Sequence, residues 1–175
     1  PTIRAMAAEG RPFRGCLYFG LMLTADGPKV IEYNCRFGDP ETQVVLPLLK
    51  SDLLTVMMAV EEGRLAETPV EFLEDAACCV VVASGGYPGA YESGKPISFA
   101  DTPALREAVV YHAGTKRDES GALVTAGGRV LGVTAIAGTL AEAREKAYHA
   151  VEAISFENAF YRKDICARAL AANAK

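Results

Sequence analysis

The chain has 175 residues, half of them hydrophobic and 23% charged, with a net charge of −4. That length supports one sizeable core or one and a half domains, and the composition is that of an ordinary globular protein. The mild acidity and the lack of a basic block exclude nucleic acid as a main partner, and no apolar run approaches the ~20 residues that a membrane span needs.

The first residues, "PTIRAMAAEG", read as the end of an amphipathic helix over 3–9, closed by Gly10, and not as a signal peptide. The chain opens without Met inside this pattern and is expected to be a piece of a longer protein. Residues 14–24, "RGCLYFGLMLT", read as a buried strand. "ADGP" at 25–28 is a turn with an Asp-Gly hairpin signal, and 29–36 return as the partner strand. Pro40 marks a helix start, with an apolar helix over 41–49. Ser51 is the expected N-cap of a helix over 52–62, ended by Gly63. The polar, acidic stretch 64–75 reads as a linker. "AACCVVVAS" at 76–84 is a buried strand, followed by a Gly/Pro-rich loop over 85–96. Strands are expected at 107–113, 122–126 and 129–137, with "GG" at 127–128 as a hairpin turn. A helix over 140–154 has Thr139 as its cap, and a last helix spans 161–172. The expected class is therefore α+β, with domains at 1–63 and 76–175. Five cysteines, at 16, 35, 78, 79 and 166, form no CxxC pair. They point away from a disulfide framework or zinc site and toward a reducing, cytoplasmic setting.

One stretch carries chemistry. In "IEYNCRFGDPE" (31–41), side chains alternate between two strand faces. Val30, Glu32, Asn34 and Arg36 point one way; Ile31, Tyr33, Cys35 and Phe37 point the other and suit a core. The first set lines up a carboxylate, a carboxamide and a cation at roughly 7 Å per step. Alternation alone favours a solvated face of a two-stranded ribbon, since half-solvated strands are common. The apolar strand before it implies a sheet buried on both faces, where charge has to be paired or bind something. Glu and Asn supply hard oxygens of the kind Mg²⁺ takes, and Arg can hold a phosphate in a bidentate fork. Cys35 has no base partner nearby and is expected in the core, as are Cys78 and Cys79.

The segment 15–53, "GCLYFGLMLTADGPKVIEYNCRFGDPETQVVLPLLKSDL", resembles the catalytic strand pair of the phosphoribosylamine–glycine ligases, ATP-grasp enzymes of purine biosynthesis. "GGYPGAY" (85–91), "HAGTK" (112–116), "GGRVLGVTAIA" (127–137) and "YRKDI" (161–165) match in the same order. The resemblance implies the C-terminal half of an ATP-grasp domain, an antiparallel sheet with helices, followed by a smaller α+β domain. It implies ATP-dependent ligation of glycine to 5-phosphoribosylamine through a glycyl phosphate, with Mg²⁺ or Mn²⁺ as cofactor and the rest of the parent chain as partner. It places the metal ligands on Glu32 and Asn34, and the phosphate clamp on Arg36; charge and position make Asp39 the candidate that holds the glycine ammonium or the amine substrate. His112, Thr115 and Lys116 are candidates lent by the second domain, with a structural strand-end histidine as the plainer reading. Another ATP-grasp carboxylate–amine ligase, or a non-catalytic module of the same fold, are the alternatives. The ATP lid, the adenine-binding strands and the domain for the amine substrate are expected upstream, so the chain alone is not expected to turn over.

Overall fold

The computed structural model describes residues 1–173, which fall into two compact units. The first holds Pro1–Thr42 and Leu49–Leu73; the second holds Gln43–Leu48 and the chain from Glu74 onward. Among the described residues no helix is long and apolar enough to cross a membrane.

In the first unit, α1 (Thr2–Ala8) is followed by the antiparallel pair β1 (Tyr18–Thr24) and β2 (Gly27–Asn34). The Asp-Gly turn joins them, with Gly27 at φ 94, a conformation that glycine adopts without steric cost. This ribbon is not buried on both faces as the sequence suggested. Leu21, Met22, Leu23, Ile31 and Tyr33 are all exposed, Leu23 at 82%. A two-stranded sheet has few neighbours to cover it, and among the described residues no third strand joins this one. Cys35, expected in the core, is likewise exposed.

The helix expected at 41–49 is only α2 (Thr42–Val45), running into a 3-10 turn at Leu46–Leu48. Pro47 has no N–H to continue an α-helical ladder. Helix α3 (Leu53–Glu62) ends at Gly63 in the left-handed region, as expected, but its cap is Asp52 and not Ser51. The Asp52 carboxylate accepts from Thr55 N at 2.7 Å. Ser51 instead accepts from Glu71 N at 2.8 Å, and Lys50 pairs with Glu71 at 2.9 Å. The 64–75 stretch is thus laced back onto 49–51, with a 3-10 turn at Leu65–Glu67.

The second unit is built on a four-stranded antiparallel sheet. It contains β3 (Ala76–Ser84), β5 (Val109–His112), β8 (Arg129–Ala137) and β10 (Ala159–Phe160), in the order β10-β3-β8-β5. Short pairs β4 (Ser98–Phe99) with β9 (Ile154–Ser155), and β6 (Thr115–Arg117) with β7 (Leu123–Thr125), complete it. The hairpin expected between 122–126 and 129–137 is not formed. β7 turns away to pair with β6, and β8 pairs with β3 and β5. Cross-strand partners share a face, so Cys78, Val80 and Val82 lie with Ala135, Val133 and Leu131. Helix α5 (Leu140–Glu152), capped by Thr139 as expected, covers that face with Ala143, Ala147, Ala150 and Val151, all fully buried. Alanines let the helix approach closely, so the core is thin and dense. A short helix, α4 (Pro103–Arg106), begins with proline at its first turn.

The last helix is shorter than expected, α6 (Ala167–Asn173). Residues 161–166 are held non-helical because α5 claims their carbonyls. Arg144 donates to Ile165 O at 2.8 Å and Lys163 O at 2.9 Å, and Tyr148 Oη donates to Arg162 O at 2.6 Å.

Two expectations follow. Leu131→Ala removes a fully buried side chain and should cost about 2–5 kcal/mol in urea denaturation, whereas Leu23→Ala should change little. Thr55 holds the Asp52 carboxyl below its ordinary value, through backbone and then side-chain hydrogen bonds. A depressed carboxylate contributes stability that is present above its unfolded pKa and lost as pH falls through the folded one. Asp52→Asn keeps a cap and should flatten the stability profile below the ordinary carboxylate range, read as thermal midpoint against pH.

Candidate functional site

The polar row is anchored by the β1–β2 register. Tyr18 lies opposite Asn34, and Gly20 opposite Glu32. Partners share a face, so Tyr18, Gly20, Glu32 and Asn34 lie together. Asn34 Nδ2 donates to Glu32 Oε1 at 2.9 Å, leaving the Asn34 carbonyl oxygen as a second hard donor beside the carboxylate. Phe19 and Tyr33 meet edge-to-face on the opposite side, ring centroids 5.0 Å apart. A cavity of about 510 Å³ on the apolar side is lined by Ile3, Met6, Phe13, Leu17, Tyr33 and Cys35.

The row differs from strict alternation at both ends. The register shifts between Gly20 and Leu21, so that Leu21 faces Val30 and Ile31 is the extra residue of a bulge. Val30 therefore leaves the face of Glu32. Arg36 lies beyond the end of β2, in a bend, with its guanidinium donating to Phe37 O at 2.8 Å. Asp39 follows in the turn before α2 and is exposed. The structure thus pairs Glu32 with Asn34, and sets Arg36 and Asp39 on the loop that continues from them.

Four further residues, Tyr18, Gly20, Gly38 and Glu41, belong to this cluster. The Tyr18 hydroxyl hydrogen-bonds the Glu41 carboxylate; partial burial first, then Glu41, then the charge of Glu32 push its phenol above the ordinary value. Glu41 folds back over Gly38, where an added Cβ would sit 2.5 Å from Glu41 Oε2. The Gly38 carbonyl accepts from both the backbone N–H and the hydroxyl of Thr42. At Gly20 an added Cβ would sit 2.9 Å from Glu32 Cγ. The two glycines are spaces that the two carboxylates occupy. Counting back across the Asp-Gly turn would set Phe19 against Glu32 and Leu17 against Asn34; the bulge moves the partners to Gly20 and Tyr18, and neither they nor the placement of Glu41 has a local signal.

The donor set fits a hard divalent cation. One carboxylate and one carboxamide oxygen, with a second carboxylate nearby, match the oxygen preference of Mg²⁺ and Mn²⁺, which keep water and substrate phosphate as other ligands. Among the described residues no cluster of three or more His, Cys, Asp or Glu could hold a metal. In the second unit, His112 Nδ1 lies 3.1 Å from Thr115 Oγ1 across the turn between β5 and β6, a strand-end contact. The Tyr87 ring of the "GGYPG" loop lies over Gly128, just before β8, where an added Cβ would sit 2.1 Å from it.

Two family models match: "Phosphoribosylglycinamide synthetase, C domain" over residues 77–168, more than half of the chain, and the ATP-grasp (A) domain of the same enzyme over residues 1–42. A phosphoribosylamine–glycine ligase from Chlorobaculum tepidum is 56% identical over 171 residues, covering 97% of this chain and 40% of that protein. The enzyme of the same name from Caulobacter vibrioides is 53% identical, with the same coverage. The crystal structure of phosphoribosylamine–glycine ligase from Thermotoga maritima superposes with a TM-score of 0.80 at 39% identity, over 93% of this chain and 39% of that one. The biotin carboxylase domain of 2-oxoglutarate carboxylase from Hydrogenobacter thermophilus shares the fold at 16% identity and a TM-score of 0.59, over 93% of this chain and 38% of that one. The chain spans about two-fifths of the length of the curated relatives it matches. With an α+β fold, an ATP-grasp strand pair and a matched C domain, the chain belongs to the phosphoribosylglycinamide synthetase family.

Proposed function

We propose that this chain is the C-terminal part of a phosphoribosylamine–glycine ligase, with residues 1–63 closing the ATP-grasp domain and 76–175 forming the C domain. The reaction joins glycine to 5-phosphoribosylamine at the expense of ATP. The glycine carboxylate attacks the γ-phosphate, ADP leaves, and the amine then displaces phosphate from glycyl phosphate to form the amide. The observation that carries the reading is the Glu32–Asn34 pair on one face of the ribbon, in a chain so similar to ligases of that name.

The obstacle is electrostatic, because an anionic nucleophile must approach a polyanion. A bound Mg²⁺ or Mn²⁺ supplies neutralising charge to the phosphates. Glu32 and Asn34 would hold it through the carboxylate and the amide carbonyl. Arg36, at the start of the loop, offers its remaining guanidinium donors to a phosphate or acyl-phosphate oxygen. Asp39, further along, supplies negative charge for the glycine ammonium or the amine substrate. Tyr18 fixes Glu41 by a hydrogen bond.

The test uses the full-length chain. Glu32→Gln keeps shape and removes a charge, and glycine-dependent ADP formation should fall on the order of 10²–10³-fold, partly restored by raising Mg²⁺. Mn²⁺ binding, read by paramagnetic resonance, should weaken in parallel. Cys35→Ala should leave turnover near that of the parent. A Glu32→Gln enzyme that keeps more than about half its activity at limiting Mg²⁺ would remove Glu32 from the metal site. Gly20→Ala is a second check: it forces Glu32 aside, so metal affinity should fall while the thermal midpoint changes little.

A further inference from the structure

Outside this site the second unit brings two thiols together. Cys78 lies in β3 on the face covered by α5 and is 1% exposed. Cys166 lies 88 positions later, at the end of the non-helical segment before α6, and is half-buried. Its Sγ is 3.5 Å from Cys78 Sγ. Arg144 and Tyr148 hold this approach in place, by fixing the carbonyls of Arg162, Lys163 and Ile165 just before it. Tyr148 Oη also accepts from Ile165 N at 3.1 Å. Cys166 itself adopts φ 65, a left-handed conformation uncommon outside glycine and asparagine. Cys79, the neighbour in sequence, points to the opposite face, where its Sγ packs over Gly132.

We propose that Cys78 and Cys166 are a paired oxidation site, which hydrogen peroxide or a comparable two-electron oxidant joins in a disulfide that pins the 161–166 segment to β3. The sulfurs need to close by only about 1.5 Å to reach bonding distance. Burial, and then the neighbouring Cys166 thiol, push the Cys78 thiol up to about 12, so Cys78 stays protonated and is a poor first target. Cys166 is the more accessible of the two. Its sulfur attacks the peroxide O–O bond, giving a sulfenic acid and one water. The Cys78 sulfur then attacks that sulfenic sulfur. The S–S bond forms, the S–O bond breaks, and the departing hydroxide takes the Cys78 proton as the second water. Two thiols lose two electrons in all, and one peroxide is reduced to two waters. Thiol reductants reverse the bond.

The experiment treats the reduced full-length protein with hydrogen peroxide, digests it with trypsin without reduction, and maps cross-linked peptides by mass spectrometry. Lys95 precedes Pro96 and resists cleavage, so Cys78 and Cys79 fall in one peptide, 65–106, and Cys166 in another, 164–168. The expected result is a link between those two peptides, lighter by two hydrogens and lost on reduction. Fragmentation should place it on Cys78. The link should persist in Cys79→Ser and vanish in Cys166→Ser, whose partly exposed position tolerates the change. A link through Cys79, Cys16 or Cys35, or sulfinic acid at Cys166 with Cys78 unlinked, would overturn the proposal. So would an unchanged thiol count under peroxide that fully oxidises free glutathione.

Discussion

The second unit depends on one ladder, the antiparallel pairing of β3 with β8. β8 is hydrogen-bonded on both edges, to β3 and to β5, and its Val130, Leu131 and Val133 are wholly excluded from water. Register in such a strand is strongly specified, because a slip by one residue would exchange the two faces. The ladder sends Cys78, Val80 and Val82 toward α5, and Cys79 and Val81 away. The spacing of Ala143, Ala147 and Ala150 on α5 then sets how near the helix lies. Even the irregular segment before α6 follows from it, because Arg144 and Tyr148 sit on the helix that the ladder positions.

The β1–β2 ribbon has similar apolar content and the opposite fate. An isolated pair of strands cannot bury both faces, so Leu21, Leu23 and Ile31 remain in contact with water among the described residues. Hydrophobic pattern is thus a statement about what a strand is suited to meet, and burial is decided by what stands beside it. For the polar face the consequence is chemical. Glu32 is exposed, so holding its charge carries little of the desolvation cost that a buried carboxylate would pay. The carboxylate is held in place by the Asn34 amide on one side and the space at Gly20 on the other.

Much of this was legible in the sequence because it is local. The Asp-Gly turn gave the hairpin and its partner strands, Thr139 and Gly63 marked helix ends, and the apolar runs at 76–84 and 129–137 gave the core strands. The Glu32–Asn34 pairing follows from a period of two. The departures are non-local. Asp52 displaces Ser51 as cap because Ser51 is engaged by Glu71, twenty positions on. β7 abandons the hairpin because β8 has two better partners. Residues 161–166 read as helix, since nothing in their own sequence reveals that Arg144 and Tyr148 will claim their carbonyls. The bulge at Ile31, which removes Val30 from the polar face, belongs to the same class: a bulge is a property of two strands together.

The candidate site shows why a motif read as a row of charges is incomplete. Charged side chains name the chemistry, yet they are flexible, and a carboxylate free to swing offers a cation poor geometry. Here the restraint comes from residues with no charge. Gly20 lets Glu32 lie across the strand pair, and Gly38 lets Glu41 fold back to meet the Tyr18 hydroxyl. A side chain at either position would clash with the glutamate side chain it now admits. Phe19 and Tyr33, cross-strand partners on the other face, meet edge-to-face and support the pairing. The loop "RFGDPE" then reads differently: its glycine is as much a part of the electrostatic arrangement as its arginine and acids, because it determines where the last carboxylate rests.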